Sequence, residues 1–130
     1  MALAADEDEI EVWGDGEQTR SYCYIDDCVE GLYRLMRSDH HEPLNLGQDR
    51  MISINELVDI VANIAGKRIY KRYDTTKPQG VRGRNSDNTR LREVLKWEPA
   101  ISLEDGLART YHWIEGQLKN VGAIPAAVGA

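Results

Sequence analysis

The chain has 130 residues and a formal net charge of -6, from 16 Lys and Arg against 22 Asp and Glu. That length holds one domain or part of one, and should bury roughly two-thirds of the surface its unfolded form exposes. The acidic balance excludes generic nucleic-acid binding, which needs a broad basic face. No run of ~18 apolar residues offers a membrane span. The opening "MALAADEDEIE" has neither the basic nor the apolar segment of a secretory signal, which points to a cytoplasmic protein.

Residues 1–10 are expected to form a flexible leader, and Met1 with "ALAADEDE" suggests a chain expressed as it stands. "IEVWGDG" predicts a short strand closed by a hairpin-like Gly-Asp-Gly turn. "SYCYI" alternates like a second strand, and Asp26 or Asp27 is placed to cap the helix that follows. That helix carries Val29, Leu32, Tyr33 and Met36 on one face. "PLNLG" reads as a buried strand ending at Gly47. In "SINE", Ser53 and Glu56 have the spacing of a capping box, and the helix they open runs through Ile54, Leu57, Val58, Val61 and Ile64 to Gly66. "KRIYKRY" predicts a half-exposed strand. Ser86 is placed to cap a helix through Leu91, Val94 and Leu95 that Glu98-Pro99 ends. "SLED" opens a last helix whose stripe is Leu103, Leu107, Tyr111, Ile114 and Leu118, and residues 121–130 read as a flexible tail. The class is therefore mixed α/β, with four helices and short strands in a single unit over residues 11–120.

Cys23 and Cys28 read as reduced, mostly buried thiols, and His40, His41 and His112 have no metal-ligand spacing. The basic loop "GVRGRNSDNTRLR" is different, because it gathers four arginines in an acidic chain. A solvated charged face is the plain alternative. The order of residues points instead to an anion site, with Arg82 and Arg84 at the mouth of the helix that Ser86 would cap. The planar guanidinium fork suits phosphate oxygens.

Three stretches, "WGDGEQTRSYCYIDDCVEGLYRLM", "EPLNLGQDRMISINELVDIV" and "GVRGRNSDNTRLREVLKWEPAISLEDGL", come in this order with sensible gaps. Together they resemble the C-terminal, substrate-binding part of extended short-chain dehydrogenase/reductases, in the NAD-dependent nucleotide-sugar epimerase/dehydratase family. "GDGEQTRS" and "GVRGRNSDN" are most similar to the GDP-mannose 3,5-epimerase branch. The resemblance covers about the last third of such an enzyme. It implies that the lobe grips the nucleotide diphosphate of a GDP-sugar through Gln18, Thr19, Arg20 and Arg84, with Arg82 and Asn85 beside them. For Arg20 the alternative is a salt bridge to Asp26 or Asp27.

The resemblance also implies what is absent. Family members bind NAD on a glycine-rich turn opening a βαβ unit, and no such trio follows a strand here. Their catalysis needs a Tyr-x-x-x-Lys pair on a helix. "YDTTK", Tyr73 to Lys77, has that spacing, but its threonines and Pro78 oppose a helix. The chain alone is thus expected to bind no cofactor and to lack catalytic competence. The alternative is a stand-alone module that binds a nucleotide sugar, or another protein, without turnover. Expected partners are the nucleotide sugar and a second copy in a homodimer; the chain is either a fragment of a longer enzyme or the partner of a separate NAD-binding chain. Tyr111, Trp113 and Ile114 of the last helix either form part of the dimer contact or pack inward.

Overall fold

The computed structural model describes residues 8–122, so the expected tail beyond 122 and the leader before 8 lie outside the described residues. Strand β1 is Glu9–Trp13 and pairs in parallel with β4, Tyr70–Asp74, in the register Glu9↔Tyr70 to Trp13↔Asp74. Carboxylates of β1 neutralise the basic strand: Arg72 bonds Glu9 at 2.7 Å and Glu11 at 2.8 Å. The Gly-Asp-Gly turn is present, with Gly14 at φ 82° and Gly16 at φ 75°, values that L side chains rarely adopt. It does not close a hairpin, because β1 takes its partner from a strand far along the chain.

A second, three-stranded sheet has the order β3-β2-β5. Its strands are β2 (Thr19–Arg20), β3 (Ile52–Ser53) and β5 (Gly83–Arg84). β2 pairs antiparallel with β3 and parallel with β5, so Thr19 stands opposite Gly83 and Arg20 opposite Arg84. The predicted strand over "SYCYI" is absent: Ser21–Tyr24 follows β2 but forms no strand. The Ser21 amide still donates to the Arg84 carbonyl at 3.2 Å, and beyond it the ladder has no neighbour to continue on. The predicted "PLNLG" strand is also absent. Residues 43–47 are irregular, and the Gly47 carbonyl is held by the side-chain amide of Asn88 rather than by a ladder.

Four helices are present: α1 Ile25–Met36, α2 Ile54–Ala65, α3 Thr89–Leu95 and α4 Leu103–Asn120. α2 is built as its sequence predicts. Ser53 and Glu56 exchange both capping-box hydrogen bonds, and Gly66 ends the helix in the left-handed region. α4 is capped by Ser102, whose hydroxyl accepts from the Asp105 amide. Tyr111 of α4 and Ala62 of α2 are buried together, with Ile114 and Leu118 packed around them. The stripe of α4 therefore packs inward, and Trp113 stays exposed.

Three caps differ from expectation. α1 begins at Ile25 after Tyr24, which gives no side-chain cap. Asp26 lies in the first turn, where its charge favours the helix dipole. Asp27 is buried and accepts from the amides of Ala100 at 3.1 Å and Ile101 at 2.8 Å, so it fastens α1 to the loop before α4. Ser86 does not cap α3: its hydroxyl donates to Asn88, and Asp87 takes the Thr89 amide instead. α3 ends at Leu95 with Lys96 left-handed at φ 49°, three residues before Glu98-Pro99.

Candidate functional site

Because α3 starts at Thr89 and has only seven residues, Arg82 and Arg84 do not sit at a helix mouth, while Arg90 and Arg92 lie within α3 itself. Arg84 belongs to β5 of the small sheet, and Arg82 directly precedes that strand. β2 and β5 run side by side, and the register puts Arg20 directly opposite Arg84 on one face. Both side chains line an open cleft of about 530 Å³, a volume typical of ligand sites. One wall is Arg20, Ser21 and Cys23; the second is Asn45, Leu46, Gly47 and Gln48; the third is Arg84, Asn85 and Ser86.

The second and third walls are clamped together. Buried Asn88 donates to the Gly47 carbonyl at 2.8 Å, the Ser86 amide to the Gln48 carbonyl at 3.3 Å, and Asn85 to the Asp49 carbonyl at 3.3 Å. A Cβ on Gly47 would fall 2.8 Å from the Cβ of Ser86, so the close approach of the two loops needs glycine there.

The sequence-predicted residues are divided by the structure. Arg20, Arg84 and Asn85 come together in the cleft. Arg82 points elsewhere, to a 2.9 Å ion pair with Asp15. Thr19 is engaged within the sheet, its hydroxyl donating to the Arg82 carbonyl at 3.3 Å. Gln18 is buried away from the cleft, where its amide donates to the Trp13 carbonyl and its Oε1 has no partner. The proposed salt bridge of Arg20 to Asp26 or Asp27 does not form, since Asp27 holds two backbone amides and Asp26 faces Arg109 at 4.0 Å.

Arg50 pairs with Glu104, Arg92 with Glu98 and Arg82 with Asp15. Among the described residues Arg20 and Arg84 have no carboxylate partner; Arg37, Arg68 and Arg90 have none either, but none of those three lines the cleft. Of the cleft pair only Arg20 makes a side-chain hydrogen bond, to the Thr19 carbonyl at 2.6 Å. Like charges directly opposite on neighbouring strands oppose folding, and an anion between them removes that cost. Burial pushes the Cys23 thiol up, so at neutral pH it is a protonated thiol rather than a nucleophile. The lining contains no His, Lys, Tyr, Asp or Glu.

Asn45, Gln48 and Ser86 were not among the predicted site residues. The signal was present in the two amides flanking Gly47, which a fully buried strand would not carry. Tyr73 and Lys77 do not form a catalytic pair, because Tyr73 lies in β4 bonded to Asn55 and Lys77 stands over the Trp13 ring. The thiols of Cys23 and Cys28 are free and half-buried. No group of three or more metal-binding side chains occurs among the described residues, and none of their helices is long and apolar enough to cross a membrane.

The match to known proteins is extensive. A model of the GDP-mannose 4,6 dehydratase family matches residues 1–110. GDP-mannose 3,5-epimerase 1 of Oryza sativa subsp. indica is 48% identical over 112 residues, which are 86% of this chain and 29% of that enzyme. UDP-glucose 4-epimerase of Thermotoga maritima, whose crystal structure contains UDP-glucose, superposes with a TM-score of 0.84 at 32% identity, over 90% of this chain and 38% of that one. UDP-glucuronic acid 4-epimerase of Bacillus cereus, in complex with UDP-glucuronic acid and NAD, gives a TM-score of 0.81 at 28% identity, over 89% and 38%. The chain spans about a third of the length of the relatives it matches.

Proposed function

The chain belongs to the GDP-mannose 4,6 dehydratase family, and from that premise we propose that it is the substrate-gripping portion of a nucleotide-sugar epimerase or dehydratase. In this reading Arg20 and Arg84 hold the two phosphates of a GDP-sugar, and Asn85 adds a neutral hydrogen bond. Gln18 and Thr19 shape the strand that carries Arg20. The observation behind it is the in-register pair of arginines, unpaired by any carboxylate and facing a cleft of ligand size. Charge-assisted hydrogen bonds of this kind contribute ~1.5–3 kcal/mol each where water is excluded, and less in an open cleft. The choice of a GDP-sugar rests on the 48% identity to an enzyme named for GDP-mannose, against 32% for the UDP-glucose epimerase.

The Bacillus relative binds NAD. Among the described residues, Gly14 and Gly16 are closely spaced glycines after a strand, and the side chains of Gln79 and Asn55 stand where their Cβ atoms would be. With no His, Lys, Tyr, Asp or Glu lining the cleft, its residues grip the substrate, and turnover rests on an NAD-binding part, either of the same longer protein or of a separate chain. A homodimer in the cytoplasm is part of the same proposal, since free thiols suit a reducing compartment. A stand-alone binding or interaction module differs in one respect: it needs no NAD-binding chain.

Calorimetric titration with GDP-mannose tests the grip. Saturable heat is expected, with Kd as weak as roughly millimolar in so open a site, and Arg84→Ala weakens it at least tenfold. UDP-glucose, run in parallel, binds less tightly. Absence of heat at millimolar GDP-mannose overturns the proposal.

A further inference from the structure

We propose that Cys23 and Cys28 form a reversible dithiol–disulfide site at the start of α1, closed by a low-molecular-weight disulfide and reopened by its thiol. The site stands independently of the diphosphate reading. Tyr24 is the N-cap of α1 and Ile25 its first residue, so Cys23 directly precedes the cap and Cys28 is the fourth residue of the helix. Side chains at these two positions reach over the first turn and pack on each other, the arrangement of a hydrophobic staple. Here the staple consists of two thiols. A single backbone atom ties them further, since the Tyr24 carbonyl accepts the Cys23 thiol at 3.7 Å and the Cys28 amide at 3.0 Å. Burial pushes the Cys23 thiol up, and Cys28 is near enough to push it further. Both thiols are free, and neither residue is fully buried.

The surroundings allow the bond to close without loss of the fold. Cys28 is fixed in α1, where its neighbour Asp27 holds the amides of Ala100 and Ile101. Cys23 lies in the Ser21–Tyr24 segment, which forms no strand, so the adjustment a disulfide requires falls on Cys23. A metal ion is not the occupant, because no group of three or more metal-binding side chains occurs among the described residues.

The exchange balances with one co-reactant, the small disulfide. Because the Cys23 thiol is held above its usual range, Cys28 attacks first: its sulfur bonds one sulfur of the small disulfide, whose S–S bond breaks to release one thiol. Cys23 then attacks the Cys28 sulfur, and the second small thiol leaves. Two protein thiols are oxidised, one small disulfide is reduced, and the two thiol protons end on the released thiols. The second step is intramolecular, so the high local concentration of Cys23 offsets its reluctance to ionise. In a reducing compartment such a bond is transient and reports the ratio of disulfide to thiol.

Intact-mass spectrometry of the folded chain, equilibrated at neutral pH in mixtures of glutathione and glutathione disulfide, tests this. As the disulfide share rises, the monomeric chain is expected to lose two hydrogens and to retain no glutathione. The chain has only two cysteines, so that mass assigns the bond to Cys23 and Cys28. Cys23→Ser cannot close the ring and instead keeps one glutathione on Cys28, which dithiothreitol removes. A parent chain that carries two glutathiones, links only to other chains, or keeps both thiols at the highest disulfide share overturns the proposal. A bond that forms only in urea overturns it as well, and Cys23→Ser without glutathione overturns the order of attack.

Discussion

Arg82 and Arg84 are two residues apart in a single loop, yet one is neutralised by Asp15 and the other has no ion-pair partner. The sequence shows both arginines and their glycine spacer. It cannot show the pairing, because Asp15 lies 67 residues away and is brought in by the fold. Arg20 and Arg84 were readable as candidates, and their alignment across two strands is what the structure adds. Asp27 teaches the opposite lesson. Its position before an apolar-periodic run reads as a cap, but its partners are amides 73 and 74 residues away. Asp27→Ala leaves two part-buried amides without their acceptor and should lower the unfolding free energy by about 1–3 kcal/mol in urea denaturation. Asp26→Ala, on an exposed side chain, should cost well under 1 kcal/mol; equal losses would contradict the clamp.

Elements specified by near neighbours were legible. The capping box of α2 lies within four residues, and so does the Ser102 cap of α4. Elements that depend on distant partners were not: Ser21–Tyr24 has the alternation of a strand and no ladder, and Ser86 is drawn to Asn88 before it can cap α3. The capping box also carries a pH signature. The Ser53 amide and then its hydroxyl hold the Glu56 carboxyl below its ordinary value of 4.5. A depressed carboxylate stabilises the fold above its unfolded pKa, and that contribution is lost as pH falls through the folded value. The stability advantage of the parent over Glu56→Gln is therefore expected to be full at about pH 7 and to close between about pH 5 and 3. Urea unfolding of both proteins at several pH values checks this, and a gap that stays constant with pH contradicts it.

At the scale of the whole molecule, the mixed α/β class and the four helices follow from periodicity and caps. What periodicity does not tell is which apolar stripe faces the core. α1 and α4 have similar helical spacing, yet α4 packs against α2 while α1 turns its stripe outward. The difference lies in the other side of each helix. Gly31 and Asp27 hold α1 by its narrow edge, whereas α4 buries Tyr111 of its stripe against α2 and Gly106 against Tyr24. Two sheets, each too small to stand alone, flank α2, and the smaller strands β2 and β5 leave the cleft between themselves and the loop at Gly47.

The central claim is that Arg20 and Arg84 together hold a diphosphate. The most direct measurement is a side-chain NMR titration that follows the arginine Nε–H resonances as GDP-mannose is added. The Arg20 and Arg84 resonances should shift together and saturate at one ligand concentration, while Arg82, paired with Asp15, stays in place. Shifts confined to Arg82, or none at Arg20 and Arg84 at millimolar ligand, would contradict the claim.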